Sequence, residues 1–394
     1  MDLDQQLANA ISLHQAGHLD EAATIYRALL SEQPNHPDSL HLLGLIENRR
    51  GHSDEAVRLI TQAITLHPQV ASFQLSLADA LYAQGSYSAA EQACRAAIQM
   101  ERHNAAAHNH LGVMLKAQNR FADAEQAYRA ALTLKPDYAE AWNNLGNVLN
   151  QQGIPTNAEQ SFRQALALNP QSAEVWNNLG NALQHLYRLS DAEAAYRQAL
   201  ALRPDFADAC YNLGVVLGET GRLNEGIDAY VHALQLDGTN SAALDELIHL
   251  MLRACNWESL PPLVDELLRR FRSGEANLNP FSMFDLPASA AEQLRCAQGN
   301  AARIQAHVQT PYAHAPPSIW PTRLKIGYLS YDYRQHPVAF LIGELFALHN
   351  REQFEVYALA IGPDDHSPPR QNFKDTCAHF IALAPLSRTE AAAK

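Results

Sequence analysis

Residues 139–153 read AEAWNNLGNVLNQQG, residues 173–187 read AEVWNNLGNALQHLY, and residues 207–221 read ADACYNLGVVLGETG. The three stretches lie 34 residues apart. The same step carried backwards from Leu145-Gly146 meets Leu111-Gly112, Leu77-Ala78 and Leu43-Gly44. A second column holds small residues: Ala22, Ala56, Ala90, Ala124, Ala158, Ala192 and Gly226. Four residues further on stands a bulky one: Tyr26, Ile60, Cys94, Tyr128, Phe162, Tyr196 and Tyr230. A third column is Pro34, Pro68, Arg102, Pro136, Pro170, Pro204 and Gly238, and a fourth is Gly17, Gly51, Gly85, Asn119, Gly153, Tyr187 and Gly221.

Each column has a physical reason. Small residues let two helices approach closely, and the bulky ones are expected to fill the groove between neighbouring units. Glycine and asparagine tolerate the positive φ that ends a first helix. Proline cannot continue a second helix. Each helix is about a dozen residues, marginal alone in water, so stability must come from stacking. A period of 34 with these columns is that of the tetratricopeptide repeat. Seven such units fill residues 1–238, the first acting as a cap with Asn9-Ala10 in place of Leu-Gly. The expected fold is mainly α, a right-handed superhelix of repeats.

Composition narrows the function classes. A net charge of −13 disfavours a nucleic-acid backbone as partner. No apolar run reaches the roughly 18 residues of a membrane helix, so no membrane is expected. The start, Met1-Asp2-Leu3-Asp4-Gln5, lacks a basic region and an apolar region. Five scattered cysteines form neither a disulfide framework nor a zinc spacing, which points to a reducing cytoplasm.

The first helix of each unit lines the inner face of such a superhelix. Just before the Leu-Gly pair stand Asn144, Asn178 and Asn212, with His110 before them, and the preceding column gives Asn109, Asn143 and Asn177. Asparagine costs several tenths of a kcal/mol against alanine inside a helix. An amide can pair with the backbone of an extended peptide without reading its sequence. The plainer alternative is polar contact between helices. The histidines His103, His108 and His110 do not share one helical face and have no carboxylate with them, so no metal is expected there.

From Thr239 the pattern changes. Helices are expected over 241–255, 261–271 and 288–308, with Leu244, Leu247, Ile248 and Met251 on one face of the first. The proline-rich stretch 310–321 marks a boundary. Then LKIGYLS (324–330) reads as a strand, Pro337 opens a helix to about His349, FEVYALAI (354–361) is a second strand, and 380–383 a third. Strand, helix, strand is the opening of a parallel, Rossmann-like sheet. No GxGxxG or P-loop is present.

At these residues the chain resembles the start of the catalytic region of protein O-linked N-acetylglucosamine transferases. The residues carrying the likeness are Gly327-Tyr328, Ser330, Asp332-Tyr333, His336-Pro337, His349-Asn350-Arg351 and Phe354-Glu355-Val356. Upstream, Cys255-Asn256-Trp257 and Asn279-Pro280-Phe281 resemble the family's linker. Residues 239–318 are then a helical transition segment and 319–394 the beginning of an α/β (GT-B) lobe. A departure is Phe340, where the family often has a second histidine.

The resemblance implies transfer of N-acetylglucosamine from UDP-GlcNAc to Ser or Thr of polypeptides held in the repeat groove. The UDP-sugar is a co-substrate, and no cofactor or metal is implied. Asn144, Asn178 and Asn212 resemble the family's asparagine ladder that grips the acceptor. The attacking hydroxyl must lose a proton, and His336 is the candidate base, with a helix N-terminus beside it favouring the neutral form. By itself a histidine before proline is more often a cap. His349 is expected to pack or cap. Family members carry a second lobe holding the donor site, so this chain, reaching Lys394 inside an expected helix, is expected to be inactive alone. Other readings are a non-catalytic repeat scaffold and a protein O-fucosyltransferase of the same layout. A homodimer is among the expected assemblies.

Overall fold

The computed structural model describes residues 3–307 and 323–383. The repeat units are pairs of 13- and 14-residue helices: Leu3–Gln15 with Leu19–Glu32, Pro37–Arg49 with Ser53–Leu66, Ala71–Ala83 with Tyr87–Met100 and Ala105–Ala117 with Phe121–Leu134. There follow Ala139–Gln151, Pro155–Leu168, then Ala173–His185 with Leu189–Leu202 and Ala207–Glu219 with Leu223–Leu236. Contacts divide the chain into two compact units, Met1–Gln152 with Gln160–Pro170, and Gly153–Glu159 with Gln171–Lys394. Among the described residues no helix is long and apolar enough to cross a membrane.

The columns explain this regularity. Every second helix ends two residues before the proline column, including Tyr87–Met100, where Arg102 replaces proline. The small column is fully buried from Ala22 to Ala192. The bulky column packs against the glycine of the Leu-Gly pair in its own repeat, and Tyr26 and Tyr230 share their cores with the following helices as well. A Cβ on Gly112 would lie 2.5 Å from Tyr128, one on Gly180 2.4 Å from Tyr196, and one on Gly214 2.7 Å from Tyr230. Hydrogen fits there and a methyl group does not. The turn column has positive φ throughout, from Gly17 at 86° to Gly221 at 79°. Asn119 and Tyr187 hold it without being glycine, at 58° and 60°. For a bulky residue such as Tyr187 this costs about 1–2 kcal/mol.

The core of the seventh repeat continues past the array. Tyr230 and Ala233 pack with Leu244, Leu247 and Met251 of helix Ser241–Arg253, and onward with Leu267 and Phe271 of helix Leu260–Ser273. That helix ends at Gly274, which is left-handed. Helix Ala290–His307 follows.

Strands β1 (Leu324–Ser330), β2 (Phe354–Ala360) and β3 (His379–Ala382) form a parallel sheet in the order β1-β2-β3. Leu324 faces Phe354 and Tyr357 faces His379 in register. The β2 residues Val356, Ala358 and Ala360 bury with Tyr333, Phe346 and Phe373. The expected helix from Pro337 to His349 is instead two short ones, Pro337–Ile342 and Leu345–Leu348. Gly343 lies at the break; its carbonyl accepts from Asn372 Nδ2 at 3.4 Å, and glycine is a weak helix former. Helix Pro368–Thr376 joins β2 to β3. The boundary stretch at 310–321 lies outside the described residues.

Candidate active site

In parallel α/β sheets ligands collect at the carboxyl ends of strands. Here the loop 331–336 leaves the carboxyl end of β1 and is pinned from several sides. Asp332 N–H donates to Ser330 Oγ at 3.0 Å, and the buried Tyr333 hydroxyl donates to the Tyr328 carbonyl at 2.9 Å. Gln335 N–H donates to Asp365 Oδ2 at 2.7 Å. The fully buried Arg370 donates through Nη1 to the carbonyls of Tyr333 and Pro363, both at 3.0 Å, and its Nε lies 3.0 Å from Asp364 Oδ1. The His366 N–H, the Lys374 ammonium and Arg370 hold the Asp364 carboxyl down to about 2. So one cation ties the loop after β1 to the loop after β2.

His336 ends this loop and caps helix Pro337–Ile342. Its Nδ1 accepts from Val338 N–H at 3.3 Å and lies 3.6 Å from Asp332 Oδ2. The helix is six residues long, so the dipole invoked from the sequence is a small effect. The tautomer matters more. While Nδ1 accepts from Val338, the neutral ring carries its proton on Nε2, which then cannot act as a base. A base at Nε2 needs the proton on Nδ1, held by Asp332, the arrangement of histidine and carboxylate found in catalytic triads. The sequence reading missed Asp332 in this role, although its place four residues before His336 was visible.

A cavity of about 580 Å³ opens beside the carboxyl ends of the strands. Tyr331, Ile361, Asp364, Arg370 and Ala382 line it from the sheet side, with repeat residues 153–157 and His185-Leu186 opposite. His336 is not among its lining residues. Phe340, one turn after His336, is 66% exposed. His349 pairs through Nε2 with the Tyr328 hydroxyl at 2.8 Å, a packing role.

The asparagine columns divide into two environments. Asn109, Asn143 and Asn177 are buried, whereas Asn144, Asn178 and Asn212 are half-buried. Asn144 Nδ2 donates to Asn109 Oδ1 at 3.1 Å, and Asn212 Nδ2 donates to Asn177 Oδ1 at 2.9 Å. Asn178 is partnered too. Between the second and third repeats the same two columns carry His41 and Ser76, joined at 2.8 Å. His110 takes a different partner: its Nδ1 lies 3.1 Å from Asp79 Oδ1, which raises its pKa. His108 instead contacts the Arg102 carbonyl at 3.4 Å. Among the described residues no cluster could hold a metal ion.

Repeat helices running into a parallel β-α-β sheet define a tetratricopeptide-repeat protein with an attached α/β segment. Tetratricopeptide-repeat families match residues 7–173 in overlapping stretches, and 161–194, 188–221 and 207–240. Residues 283–394 match Glycosyl transferase family 41. The chain is 28% identical over 157 residues to a probable UDP-N-acetylglucosamine–peptide N-acetylglucosaminyltransferase, SEC, of Arabidopsis thaliana, covering 36% of this chain and 16% of that protein. It is 29% identical over 147 residues to the UDP-N-acetylglucosamine–peptide N-acetylglucosaminyltransferase of Caenorhabditis elegans, covering 34% and 13%. The chain thus aligns with only about a sixth or less of these relatives' length. Among solved structures, the APC/C hetero-tetramer Cut9–Hcn1 is similar in fold, with a TM-score of 0.54 and 20% identity over 61% of this chain and 48% of that one.

Proposed function

We propose that this chain is part of a protein O-glycosyltransferase that moves N-acetylglucosamine from UDP-GlcNAc to Ser or Thr of acceptor polypeptides. The observation that carries the reading is the joining, in one chain, of amide-bearing repeats to a family 41 segment whose β1 loop ends in His336. His336 is the candidate base, with Asp332 supplying the carboxylate for Nδ1–H. No cofactor or metal takes part in this scheme, and the reading places the protein in the cytoplasm.

Acceptors lie along the face of the first helices, on Asn144, Asn178 and Asn212. The Nδ2 of Asn144 and of Asn212 is committed to the neighbouring repeat, so Oδ1 is the atom left for a ligand. It accepts a backbone N–H of an extended chain, which every residue but proline supplies. Binding is therefore tolerant of side-chain sequence and intolerant of lost N–H groups.

The test is fluorescence anisotropy with labelled Ser/Thr-containing polypeptides, scrambled versions and a backbone N-methylated version. Changing Asn144, Asn178 and Asn212 together to Ala removes up to three hydrogen bonds of about 0.5–1.5 kcal/mol each. Summed, these weaken binding by about one to three orders of magnitude. Unchanged affinity in a folded triple variant overturns the ladder. Binding confined to one sequence motif favours the scaffold reading.

A further inference from the structure

The turn column contains one anomaly. Its position has positive φ in all seven repeats, filled by glycine in five and by asparagine in one. In the sixth repeat it holds Tyr187 at φ 60°. A large ring in this conformation is held against its own backbone preference, so something must repay it. The five glycines and Asn119 make the same turn without a ring, so the turn itself does not require one.

The ring's surroundings supply the reason. Tyr187 lies 5.7 Å from the Tyr331 ring, centroid to centroid, at an interplanar angle of 39°. The Arg334 guanidinium lies 5.1 Å from the Tyr187 centroid and 5.0 Å from that of Tyr331. Arg334 Nε is buried and makes no hydrogen bond; its nearest carboxylate oxygen, Asp332 Oδ1, is 3.9 Å away. Two aromatic faces, with the Tyr187 side chain also hydrogen-bonding the guanidinium and Asp332 at the edge of ion-pair distance, therefore hold this cation. Both loop members come from the β1 loop, and Arg334 stands between Tyr187 and Asp332.

We infer that Tyr187 is a positioning residue, through which the sixth repeat grips Arg334 and Tyr331 and thereby sets the β1 loop that presents Asp332 to His336. Its catalytic meaning rests on the glycosyltransferase reading; its physical content does not. The chain of contacts runs Tyr187 to Arg334, Arg334 to Asp332, and Asp332 to His336 Nδ1. Because Asp332 and Val338 N–H compete for the same ring nitrogen, a small displacement of Asp332 changes which tautomer His336 adopts.

The experiment uses Tyr187→Gly, which relieves the backbone while deleting the ring, and Tyr187→Phe, which keeps the ring. Hydrogen exchange by mass spectrometry reads the 331–336 amides, with repeat helices Ala173–His185 and Leu189–Leu202 as internal controls. In Tyr187→Gly the loop amides exchange about tenfold faster while both helices stay unchanged. Tyr187→Phe restores wild-type exchange, and adding Arg334→Ala to Tyr187→Gly produces no further acceleration. The ¹⁵N signals of the His336 ring, which report its tautomer, move in Tyr187→Gly and not in Tyr187→Phe. Loop exchange within twofold of wild type in Tyr187→Gly overturns the inference, as does equal loss of protection in the control helices. Neither readout involves sugar transfer, so a failed transferase assay leaves this result standing on its own.

Discussion

Replacing Gly180 by alanine tests the packing rule on which the repeats depend. The added Cβ would lie 2.4 Å from Tyr196 Cε1, 2.7 Å from Cδ1 and 2.8 Å from Cζ. Carbon atoms settle at about 3.5–4.0 Å, so the overlap exceeds roughly 1 Å. The ring has little room to yield. Tyr196 is fully buried, and its hydroxyl is 2.7 Å from Asn181 Oδ1 and 3.1 Å from Gln184 Oε1. Overpacking costs about 1–3 kcal/mol, and disturbing those hydrogen bonds adds about 1 kcal/mol. Alanine returns about 1 kcal/mol as the better helix former. The net loss is about 2 kcal/mol, which lowers the melting temperature by about 4–8 °C. Gly214→Ala should cost less: its Cβ would be 2.7 Å from Tyr230, whose hydroxyl makes no hydrogen bond and leaves the ring freer to tilt. Circular-dichroism melts give the ranking, and native-state hydrogen exchange locates the loss in helices Ala173–His185 and Leu189–Leu202. A Gly180→Ala protein that melts at or above wild type refutes the close-approach argument.

Two further variants probe groups the site depends on less directly. Burial pushes the Asp245 carboxyl up to about 6, against the Ser282 hydroxyl at 3.0 Å and the pull of His249, with Glu246 adding to the rise. Between its usual value of about 3.9 and that raised value the folded state binds more protons than the unfolded one, so stability falls as pH rises through this window. Asp245→Asn should therefore raise the melting temperature at pH 7.5 and leave it unchanged at pH 3.5; an equal change at both values refutes the assignment. Arg370→Ala strips a buried cation from Asp364 and from the carbonyls of Tyr333 and Pro363. It should destabilise the sheet segment by about 3–5 kcal/mol, read as faster exchange in β1 and β2 with helix Leu223–Leu236 unaffected. Undiminished protection in the strands would count against the tie.

Repetition made the helical part of this fold legible. A single glycine says little, but Gly17, Gly51, Gly85, Gly153 and Gly221 at one step identify a turn, and each has the positive φ expected of it. The parallel strands were legible because the apolar runs 324–330 and 354–361 are short and rich in β-formers. Helix Pro368–Thr376 was not among the expected elements, although prolines at 368 and 369 both fit a first turn. The division of the long helix at Gly343 was equally hidden; there Asn372, from another element, donates to the Gly343 carbonyl. At the site, His336 stood out through the family resemblance and Asp332 lay four residues before it, whereas Arg334 and Tyr187 acquire meaning only when folding brings repeat and loop together.

The asparagine columns show why the two readings offered by the sequence need not exclude each other. Polar contact between helices and grip on a ligand were posed as alternatives for one residue type. The structure assigns the first to the buried column: Asn109 Nδ2 donates to Glu140 at 3.0 Å, which turns its Oδ1 toward Asn144. It also uses the Nδ2 of the half-buried column for the same purpose. That bond offsets the helix cost of asparagine and fixes the side-chain rotamer. A rotamer already fixed loses little entropy when its remaining oxygen accepts a hydrogen bond. On the proposed reading, the structural bond is thus what prepares the same side chain to bind an acceptor. An asparagine with a free amide at that position would bind an extended backbone less well, though it would offer one more donor.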